Sequence, residues 1–517
     1  MAADQRLAKH TNAFARVVNG KASAMKHGVL KLQYRNMTMS LAAVASHQTP
    51  ARAASLPPGR EAIAAVTQAL AARFGNRLVT SLAVRQQHGH TLTWIPNQPP
   101  DAVVFPDSTE EVADIVKLCA EHGVPVIAFG TGTSLEGHVN APYGGVCIDM
   151  AQMKRVIAVH GEDLDCVVQP GVTRKELNEH LRDQGLMFPI DPGADASIGG
   201  MAATRASGTN AVRYGTMKDN VLALTAVMAD GSIVKTSTRA RKTSAGYDLT
   251  RLLIGSEGTL GVITEITLKL HGIPEAISAG VCPFPSVQAA CDATILTIQT
   301  GLPVARIELL DDVMIRGVNQ YSKLSLPETT MLFVEFHGSE AGVKEQAERF
   351  GEIARDCGGG DFDWATKAED RSRLWQARHD VYWAARALRP GAESVATDVC
   401  VPISRLAECV EETKRDIEAS GLIAPIAGHV GDGNFHTQPL VDLADPDEVE
   451  RAQAFVDRLV KRALAMGGTC TGEHGVGQKK MKYLELEHGA EALAVMATLK
   501  RALDPQNILN PGKIVAL

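Results

Sequence analysis

Short apolar runs and helical repeats alternate in the second hundred residues of the chain. Residues 102–105 are apolar and are followed by a proline, which is typical of a short strand. Ser108 and Glu111 then form the Ser-x-x-Glu pattern of a helix start, and apolar residues follow at helical spacing. Thr173 and Glu176 repeat this pattern after the next strand-like run. The region is therefore predicted to be mixed α/β rather than a regular strand–helix–strand repeat.

The hydrophobic pattern changes near residue 275. Residues 186–270 are rich in glycine and contain short β-type runs, whereas helical patterns dominate residues 340–420. We therefore predict a domain boundary near residue 275.

A long helix is predicted in the last quarter of the chain. Asp445 is placed to cap it, Pro446 occupies the first helical position, and Glu448 is expected to complete a capping box. Gly467 is the predicted end of this helix.

Composition and charge exclude several classes of protein. Of the 517 residues, 45% are hydrophobic and 21% are charged, so a large core is expected and wholesale disorder is excluded. No apolar run reaches the length of a spanning helix, so no transmembrane segment is expected. The nine cysteines form no Cys-x-x-Cys pair, which favours a reducing compartment over a disulfide scaffold.

The charge is divided unevenly along the chain. Residues 1–55 carry eight Lys or Arg and one acid, so the rest of the chain has a net charge of −14. An acidic body argues against a nucleic-acid partner, because phosphate binding needs a basic face.

The basic start leaves three interpretations open. It could be a mitochondrial transit peptide, a disordered extension, or the product of a start codon upstream of Met37 or Met39. A transit peptide would place the protein in mitochondria. A bacterial chain would be cytoplasmic, with a peripheral position at the inner membrane left open.

A glycine-rich loop follows the predicted strand that ends near residue 128. It does not match the nicotinamide-binding fingerprint, because Leu135 stands where that pattern requires its third glycine. Small and hydroxyl residues with closely spaced backbone N–H groups nevertheless suit a pyrophosphate. A plain structural turn is the alternative. The loop residues are Gly130, Thr131, Gly132, Thr133 and Ser134.

Two further small-residue segments support a large ligand. One spans residues 191–215 and the other residues 255–261. Small side chains let the backbone approach a flat ligand closely, although a loop-rich packing region would show the same composition. Three such segments in order predict an extended dinucleotide.

Two histidines and a carboxylate form a candidate metal site. His429 and His436 are separated by a glycine-rich turn, and Glu473 follows the long predicted helix. Two His and one Glu suit a catalytic metal with an open coordination position, while two ordinary loop histidines are the alternative.

His474 and Arg378 are the candidate catalytic residues. An imidazole exchanges protons near neutral pH, so His474 is assigned as the general base. The Arg378 guanidinium matches a substrate carboxylate bidentately, with a structural ion pair as the alternative.

These motifs resemble a known flavoprotein family. Residues 130–134, Tyr214-Gly215 and residues 255–261 look like the FAD-binding domain of the vanillyl-alcohol oxidase superfamily. Residues 427–436 and 472–475, together with Asn510-Pro-Gly-Lys513, are similar to the FAD-dependent D-2-hydroxy-acid dehydrogenases, in particular the D-lactate dehydrogenase (cytochrome) type.

The resemblance implies an α+β flavoprotein with noncovalent FAD. A PCMH-type FAD-binding domain of two α+β subdomains would span residues 58–275. A cap domain with an antiparallel sheet flanked by helices would span residues 276–470, and residues 471–517 would return to the flavin. Residues 1–57 would form an extension.

The resemblance also assigns cofactor and metal contacts. The pyrophosphate would be held by the loop at residues 130–134, and a divalent metal, Zn or Mn, by His429, His436 and Glu473. Further FAD contacts are expected from Gly199, Gly200, Ser207, Tyr214, Glu257, Ile263 and Asn510.

The implied reaction is oxidation of D-lactate to pyruvate by hydride transfer to flavin N5. Electrons would pass to cytochrome c, a quinone or an electron-transfer flavoprotein, because no haem-attachment motif occurs. A homodimer remains open. Glycolate and D-2-hydroxyglutarate are alternative substrates. A zinc hydrolase and a non-catalytic binding module are the alternative classes.

Overall fold

The alternating pattern of the first half of the chain forms small sheets covered by helices. The computed structural model describes residues 56–91, 93–365 and 368–517, so the expectations for residues 1–55 lie outside the described residues. The elements of the first half are α1 (Arg60–Phe74), β1 (Leu78–Val79), α2 (Leu82–His88), β2 (Ala102–Val104), α3 (Thr109–His122), β3 (Val126–Phe129), β4 (Val146–Asp149), β5 (Val156–His160), β6 (Asp165–Val168), α4 (Arg174–Leu181), β7 (Leu186–Met187), α5 (Ile198–Thr204), α6 (Ala211–Tyr214), α7 (Met217–Asn220), β8 (Val221–Val227), β9 (Ile233–Lys235), α8 (Leu249–Leu253), β10 (Val262–Lys269) and β11 (His271–Gly272).

Two sheets dominate this half. One has the strand order β1-β2-β4-β3, in which β2 and β3 pair parallel to β4. The other is antiparallel with the order β5-β6-β10-β8-β9. Ile508 and Leu509 from the C-terminal segment pack into the core of the first sheet.

The predicted helix starts are confirmed. The Ser108 hydroxyl accepts a hydrogen bond from the Glu111 backbone N–H at 3.2 Å. Thr173 and Glu176 form a complete capping box, with the two reciprocal bonds at 2.9 and 3.3 Å. The glycine-rich region also contains the short helices α5 to α8, which the sequence did not reveal because four to seven residues are too few for helical periodicity.

The second half contains one large antiparallel sheet. Its elements are β12 (Ala276–Phe284), α9 (Val287–Gln299), β13 (Val304–Leu310), α10 (Asp312–Ser322), β14 (Thr330–Gly338), α11 (Glu340–Asp356), β15 (Asp363–Ala365), α12 (Ala368–His379), α13 (Val381–Ala387), β16 (Glu393–Ser394), β17 (Val399–Cys400), α14 (Leu406–Ser420), β18 (Ile426–Gly428), β19 (Asn434–Thr437), β20 (Leu440–Val441), α15 (Pro446–Ala465) and α16 (Leu484–Leu503).

This sheet is covered by helices on both faces. Its seven strands have the order β15-β12-β14-β13-β18-β19-β17. Alternate residues of β14 enter different cores: Leu332 and Val334 pack with α9, α11 and α14, whereas Met331 and Phe333 pack with α10, α12 and α13. The α+β class and the helix-flanked antiparallel sheet are therefore confirmed, and the predicted boundary near residue 275 falls between β11 and β12.

The start of α15 corrects one prediction. Asp445 caps the helix as expected and accepts from the Asp447 and Glu448 backbone N–H groups. The Glu448 carboxylate does not return to Asp445, because the Asp445 N–H is already bonded to the Asp442 carbonyl at 3.1 Å. It instead accepts from the Asp442 N–H at 3.2 Å and pairs with Arg389.

None of the helices in the described part of the chain has the length and apolar character needed to cross a membrane. All nine cysteines are free thiols.

Asp311 ties the helical layer to the strand that leads into the candidate metal site. One of its carboxylate oxygens accepts from the Met314 N–H at 2.8 Å and from the Ile426 N–H at 3.1 Å, so it caps α10 and holds the start of β18. The side chain is buried. Burial raises the pKa of Asp311 to about 6, because the nearby hydrogen bonds and Lys414 offset only part of the lost hydration.

We predict that Asp311→Asn stabilises the protein at neutral pH relative to acidic pH. The folded protein binds a proton at Asp311 more tightly than the unfolded chain, so this carboxyl lowers stability as pH rises from about 4 to about 6. Asparagine keeps the accepting oxygen and removes the buried charge. The difference in thermal midpoint, variant minus wild type, should increase between pH 4 and pH 7. This increase corresponds to about 1–3 kcal/mol in the free energy of unfolding. A difference that does not depend on pH would contradict this prediction.

Candidate active site

One cavity of about 500 Å³ joins the glycine-rich segments of the first half to the histidine cluster of the second. Residues from the small-residue loops form one side of its wall, and residues from α12, α13, β19 and the loop after α15 form the other. The predicted site residues in the wall are Gly130, Thr131, Gly132, Thr133, Ser134, Gly200, Ser207, Glu257, Arg378, His429, His436, Glu473, His474 and Asn510.

The loop after β3 can be built only with small residues. Gly132 has a φ of +68°, a left-handed conformation that favours glycine. A Cβ atom at Gly130 would lie 2.3 Å from the Ser197 hydroxyl oxygen. The loop therefore brings backbone close to the cavity, which suits the approach of a phosphate group.

Three predicted cofactor residues lie outside the cavity wall. Gly199 faces Pro170, where a Cβ atom would come within 2.4 Å of the proline side chain. The Tyr214 hydroxyl is 2.7 Å from His337 Nδ1. Ile263 is buried within the antiparallel sheet and pairs with Ala226.

Glu257 and Asn510 are structural supports of the wall. The Glu257 carboxylate accepts from the Val476 and Gly477 backbone N–H groups at 2.7 and 2.8 Å. The Asn510 amide donates to the carbonyl oxygens of His138 and Glu257 at 3.1 and 2.7 Å. Together they fasten the loop after Glu473 and the C-terminal segment to the first half of the chain.

Several buried polar atoms of the wall lack a hydrogen-bond partner within the described residues. They include the Ser134 hydroxyl, His138 Nδ1 and the Gln438 amide oxygen. Buried polar atoms are normally paired, so unpaired ones around a cavity indicate a large polar ligand. The cavity, its glycine loop and these atoms fit a dinucleotide such as FAD.

The three predicted metal ligands meet at one point. The available ligand atoms of His429, His436 and Glu473 all lie within 4.8 Å of one another. Nε2 of His429 and Nε2 of His436 are 3.0 and 3.2 Å from the same Glu473 oxygen. Ligands with bonds of about 2.0–2.1 Å to a tetrahedral ion lie roughly 3.3 Å apart, and the two histidine–carboxylate spacings are close to this value.

The hairpin between β18 and β19 brings the two histidines together. Gly433, at the end of its turn, has a φ of +78°, and a Cβ atom there would lie 2.1 Å from the Val401 carbonyl oxygen. The two imidazole centroids are 5.5 Å apart. The predicted folding back of this glycine-rich segment is therefore observed.

Carboxylates dominate the electrostatics of this cluster. Burial disfavours a charged His429, but Glu308 and Glu473 outweigh it and raise the pKa of His429 well above 6.5. Burial also opposes ionisation of Glu473, yet its two histidine neighbours hold its pKa well below 4.5. The cluster is thus built to attract positive charge, either a proton or a metal ion.

His474 lies beside this cluster. Its ring stacks on the ring of His436 with a centroid distance of 5.0 Å and an angle of 9°. Its Nδ1 is 3.5 Å from a carboxylate oxygen of the fully buried Glu136. The Asp398 carboxylate accepts from the backbone N–H groups of Glu473 and His474, each at 2.9 Å, and so fixes the turn that carries both side chains.

Arg378 lines the cavity and also forms a buried ion pair. Its Nε donates to Glu308 Oε2 at 3.0 Å, and its Nη2 contacts the same oxygen. Burial raises the pKa of Glu308, but His429 and Arg378 outweigh it and lower that pKa. The alternative interpretation of Arg378, a structural ion pair, is therefore present in the structure. Its Nη1 atom takes part in neither of these two bonds.

Four functional neighbours were missed by sequence reasoning. Glu136, His138, Glu308 and Asp398 lie in loops or strands with no motif of their own. Asp398 lies within residues 397–404, a further stretch that resembles the D-lactate dehydrogenase (cytochrome) type, and this resemblance was the only sequence signal for it.

Two family models match the chain. Residues 100–237 match the FAD binding domain, and residues 273–514 match the C-terminal domain of FAD linked oxidases.

Curated relatives cover most of the chain. The probable mitochondrial D-lactate dehydrogenase of Danio rerio is 56% identical over 438 residues, covering 84% of this chain and 88% of that protein. The mitochondrial D-lactate dehydrogenase [cytochrome] of Arabidopsis thaliana is 52% identical over 416 residues, covering 80% of this chain and 73% of that protein.

A solved structure supports the fold. p-Cresol methylhydroxylase with substrate bound superposes with a TM-score of 0.73 at 18% identity, covering 89% of this chain and 98% of that chain. The predicted fold, with its PCMH-type FAD-binding domain, is therefore confirmed. The chain belongs to the FAD-dependent D-2-hydroxy-acid dehydrogenase family of the vanillyl-alcohol oxidase superfamily.

Proposed function

We propose that the protein oxidises D-lactate to pyruvate with bound FAD and a divalent metal ion. The observation that carries this proposal is the shared cavity, in which the glycine loops meet His429, His436, Glu473, His474 and Arg378. The relatives named as D-lactate dehydrogenases support the choice of substrate.

The protein residues divide the work of the reaction. FAD would accept the hydride from C2 at flavin N5, and a divalent ion held by His429, His436 and Glu473 would lower the pKa of the hydroxyl. His474 would remove the hydroxyl proton. Arg378 would bind the substrate carboxylate and so orient C2.

The wall favours a small monocarboxylate. Among the described residues, Arg378 is the only arginine in the wall, and no lysine reaches it. A second carboxylate, such as that of D-2-hydroxyglutarate, would find no further Arg or Lys partner there. Gln438 occupies the neighbouring wall with an unpaired amide oxygen.

The reduced cofactor needs an external acceptor. The chain carries no haem-attachment motif, and one relative is named a D-lactate dehydrogenase [cytochrome]. We infer that cytochrome c or another external acceptor removes the electrons. Both relatives are named mitochondrial, which favours the transit-peptide interpretation of residues 1–55.

A substrate panel tests the proposed function. Stopped-flow mixing should show D-lactate bleaching the flavin absorbance faster than L-lactate, glycolate or D-2-hydroxyglutarate. Faster bleaching by glycolate or D-2-hydroxyglutarate than by D-lactate would support the same reaction with a different preferred substrate. A protein that stays colourless in the presence of FAD would reject the flavin and favour the zinc hydrolase.

Removal of the base should slow the reductive step. We expect His474→Ala to lower the rate of flavin reduction by D-lactate by about 10²–10⁴, because the hydroxyl proton loses its acceptor. Single-turnover bleaching measures this rate directly, without the reoxidation step.

His488→Ala is the matched control for this variant. His488 lies on α16 with an exposed side chain and outside the cavity wall. The control should reduce at the wild-type rate, and both variants should keep the visible spectrum of bound FAD. If D-lactate reduced the flavin of His474→Ala at the wild-type rate, the assignment of His474 as the base would be rejected.

Metal removal should also stop turnover. We expect chelation to lower activity roughly 10²-fold or more, since the ion would stabilise the ionised hydroxyl. Elemental analysis must show metal loss while the visible spectrum shows that FAD remains. Zn²⁺ or Mn²⁺ should restore activity, and full activity of the metal-free protein would remove the ion from the mechanism.

A further inference from the structure

A single buried carboxylate connects the candidate metal site to the candidate carboxylate-binding arginine. Glu308 Oε1 is 2.8 Å from His429 Nδ1. Glu308 Oε2 accepts from Arg378 Nε at 3.0 Å. The Glu308 side chain is 1% exposed, so these two residues, rather than water, satisfy its charge.

The position of Glu308 follows from the sheet. The pairing of Leu309 in β13 with Gly428 in β18 places Glu308 beside His429. Its side chain points to the face covered by α12, whose last turn carries Arg378. A charged residue in a central strand is costly to bury, and a hydrophobic residue would give the sheet equal or better stability. The site therefore requires this carboxylate more than the fold does.

The Glu308 contact selects one tautomer of His429. An ionised carboxylate only accepts hydrogen bonds, so His429 must donate from Nδ1. This leaves Nε2, 3.0 Å from the Glu473 oxygen, as the ring nitrogen that faces the candidate ion site. Carboxylates that hold metal-binding histidines in this way strengthen metal binding.

The Arg378 contact orients the guanidinium. With Nε and Nη2 held by Glu308, Nη1 lies outside these two bonds in a guanidinium that lines the cavity. One rigid carboxylate thus sets both the direction of the metal ligand and the direction of the arginine.

We propose that Glu308 is a positioning residue that fixes the separation between the ion site and the carboxylate site. That fixed separation favours acids whose hydroxyl and carboxylate are on adjacent carbons over acids with one carbon more between them. This inference rests on the proposed function and adds to it the residue that determines the 2-hydroxy specificity.

Ion affinity provides the first test. Glu308→Gln keeps the size of the side chain, but its amide oxygen can serve only one of the two donors. With that oxygen on Arg378, the NH2 group would donate to His429 Nδ1 and place the imidazole proton on Nε2, the nitrogen that faces the ion site. The chelator-treated, FAD-loaded enzyme should be titrated with Zn²⁺ and Mn²⁺ by calorimetry. We expect the variant to bind the ion about 10–100-fold more weakly than wild type.

Glu448→Gln is the matched control. Glu448 also pairs with an arginine, Arg389, but lies at the start of α15, outside the cavity wall. The control should bind both ions with wild-type affinity. A general loss of stability from breaking an Arg–Glu pair would affect both variants alike.

Substrate discrimination provides the second test. We expect Glu308→Gln to raise the KM for D-lactate about 10-fold or more, since the arginine loses its fixed direction. The ratio of kcat/KM for D-lactate to that for (R)-3-hydroxybutyrate should fall in this variant and stay unchanged in Glu448→Gln.

The two tests separate the possible failures. A folded Glu308→Gln with wild-type ion affinity, KM and discrimination would reduce Glu308 to a structural residue. If Glu308→Gln does not fold, Glu308→Asp replaces it in both tests. Aspartate keeps the charge but is too short to reach both partners. Wild-type ion affinity, KM and discrimination in Glu308→Asp would overturn the proposal. A wild-type enzyme that binds neither ion would also overturn it. Absence of bleaching by D-lactate would instead reject the proposed function, while the ion titration would still test Glu308.

Discussion

Buried carboxylates hold the site together, because each must find donors and the donors come from distant parts of the chain. The Asp398 carboxylate accepts hydrogen bonds from the backbone N–H groups of Glu473 and His474. The Glu257 carboxylate accepts hydrogen bonds from the backbone N–H groups of Val476 and Gly477. An unpaired buried charge would cost several kcal/mol, so these loops cannot move away without a large loss of stability. The turn that carries Glu473 and His474 is therefore fixed from two sides.

This arrangement explains how loops can carry a precise site. The loop after α15 has little regular structure of its own, and its conformation comes from contacts with both halves of the chain. Asn510 adds a third attachment by linking the C-terminal segment to the Glu257 carbonyl. The cavity and the cluster of His429, His436 and Glu473 share these attachments.

The sequence predicted the features that depend on local chemistry. The caps at Ser108 and Thr173 were predictable because a hydroxyl and the N–H three residues later meet within one helical turn. Glu448 was assigned wrongly, since its choice of Asp442 and Arg389 depends on a turn that the pattern does not show. Glu308 could not be found because its partners are 70 and 121 residues away in sequence.

The charge of the cluster favours a bound cation. With neutral histidines, Glu308 and Glu473 carry two negative charges against one positive charge on Arg378, which would repel a substrate carboxylate. The same excess of negative charge raises the pKa of His429 well above 6.5 when no ion is bound. A divalent ion would displace that proton and offset the negative charges of Glu308 and Glu473. Glu308 and Glu473 therefore both hold the His429 ring and make the cluster attractive to a cation.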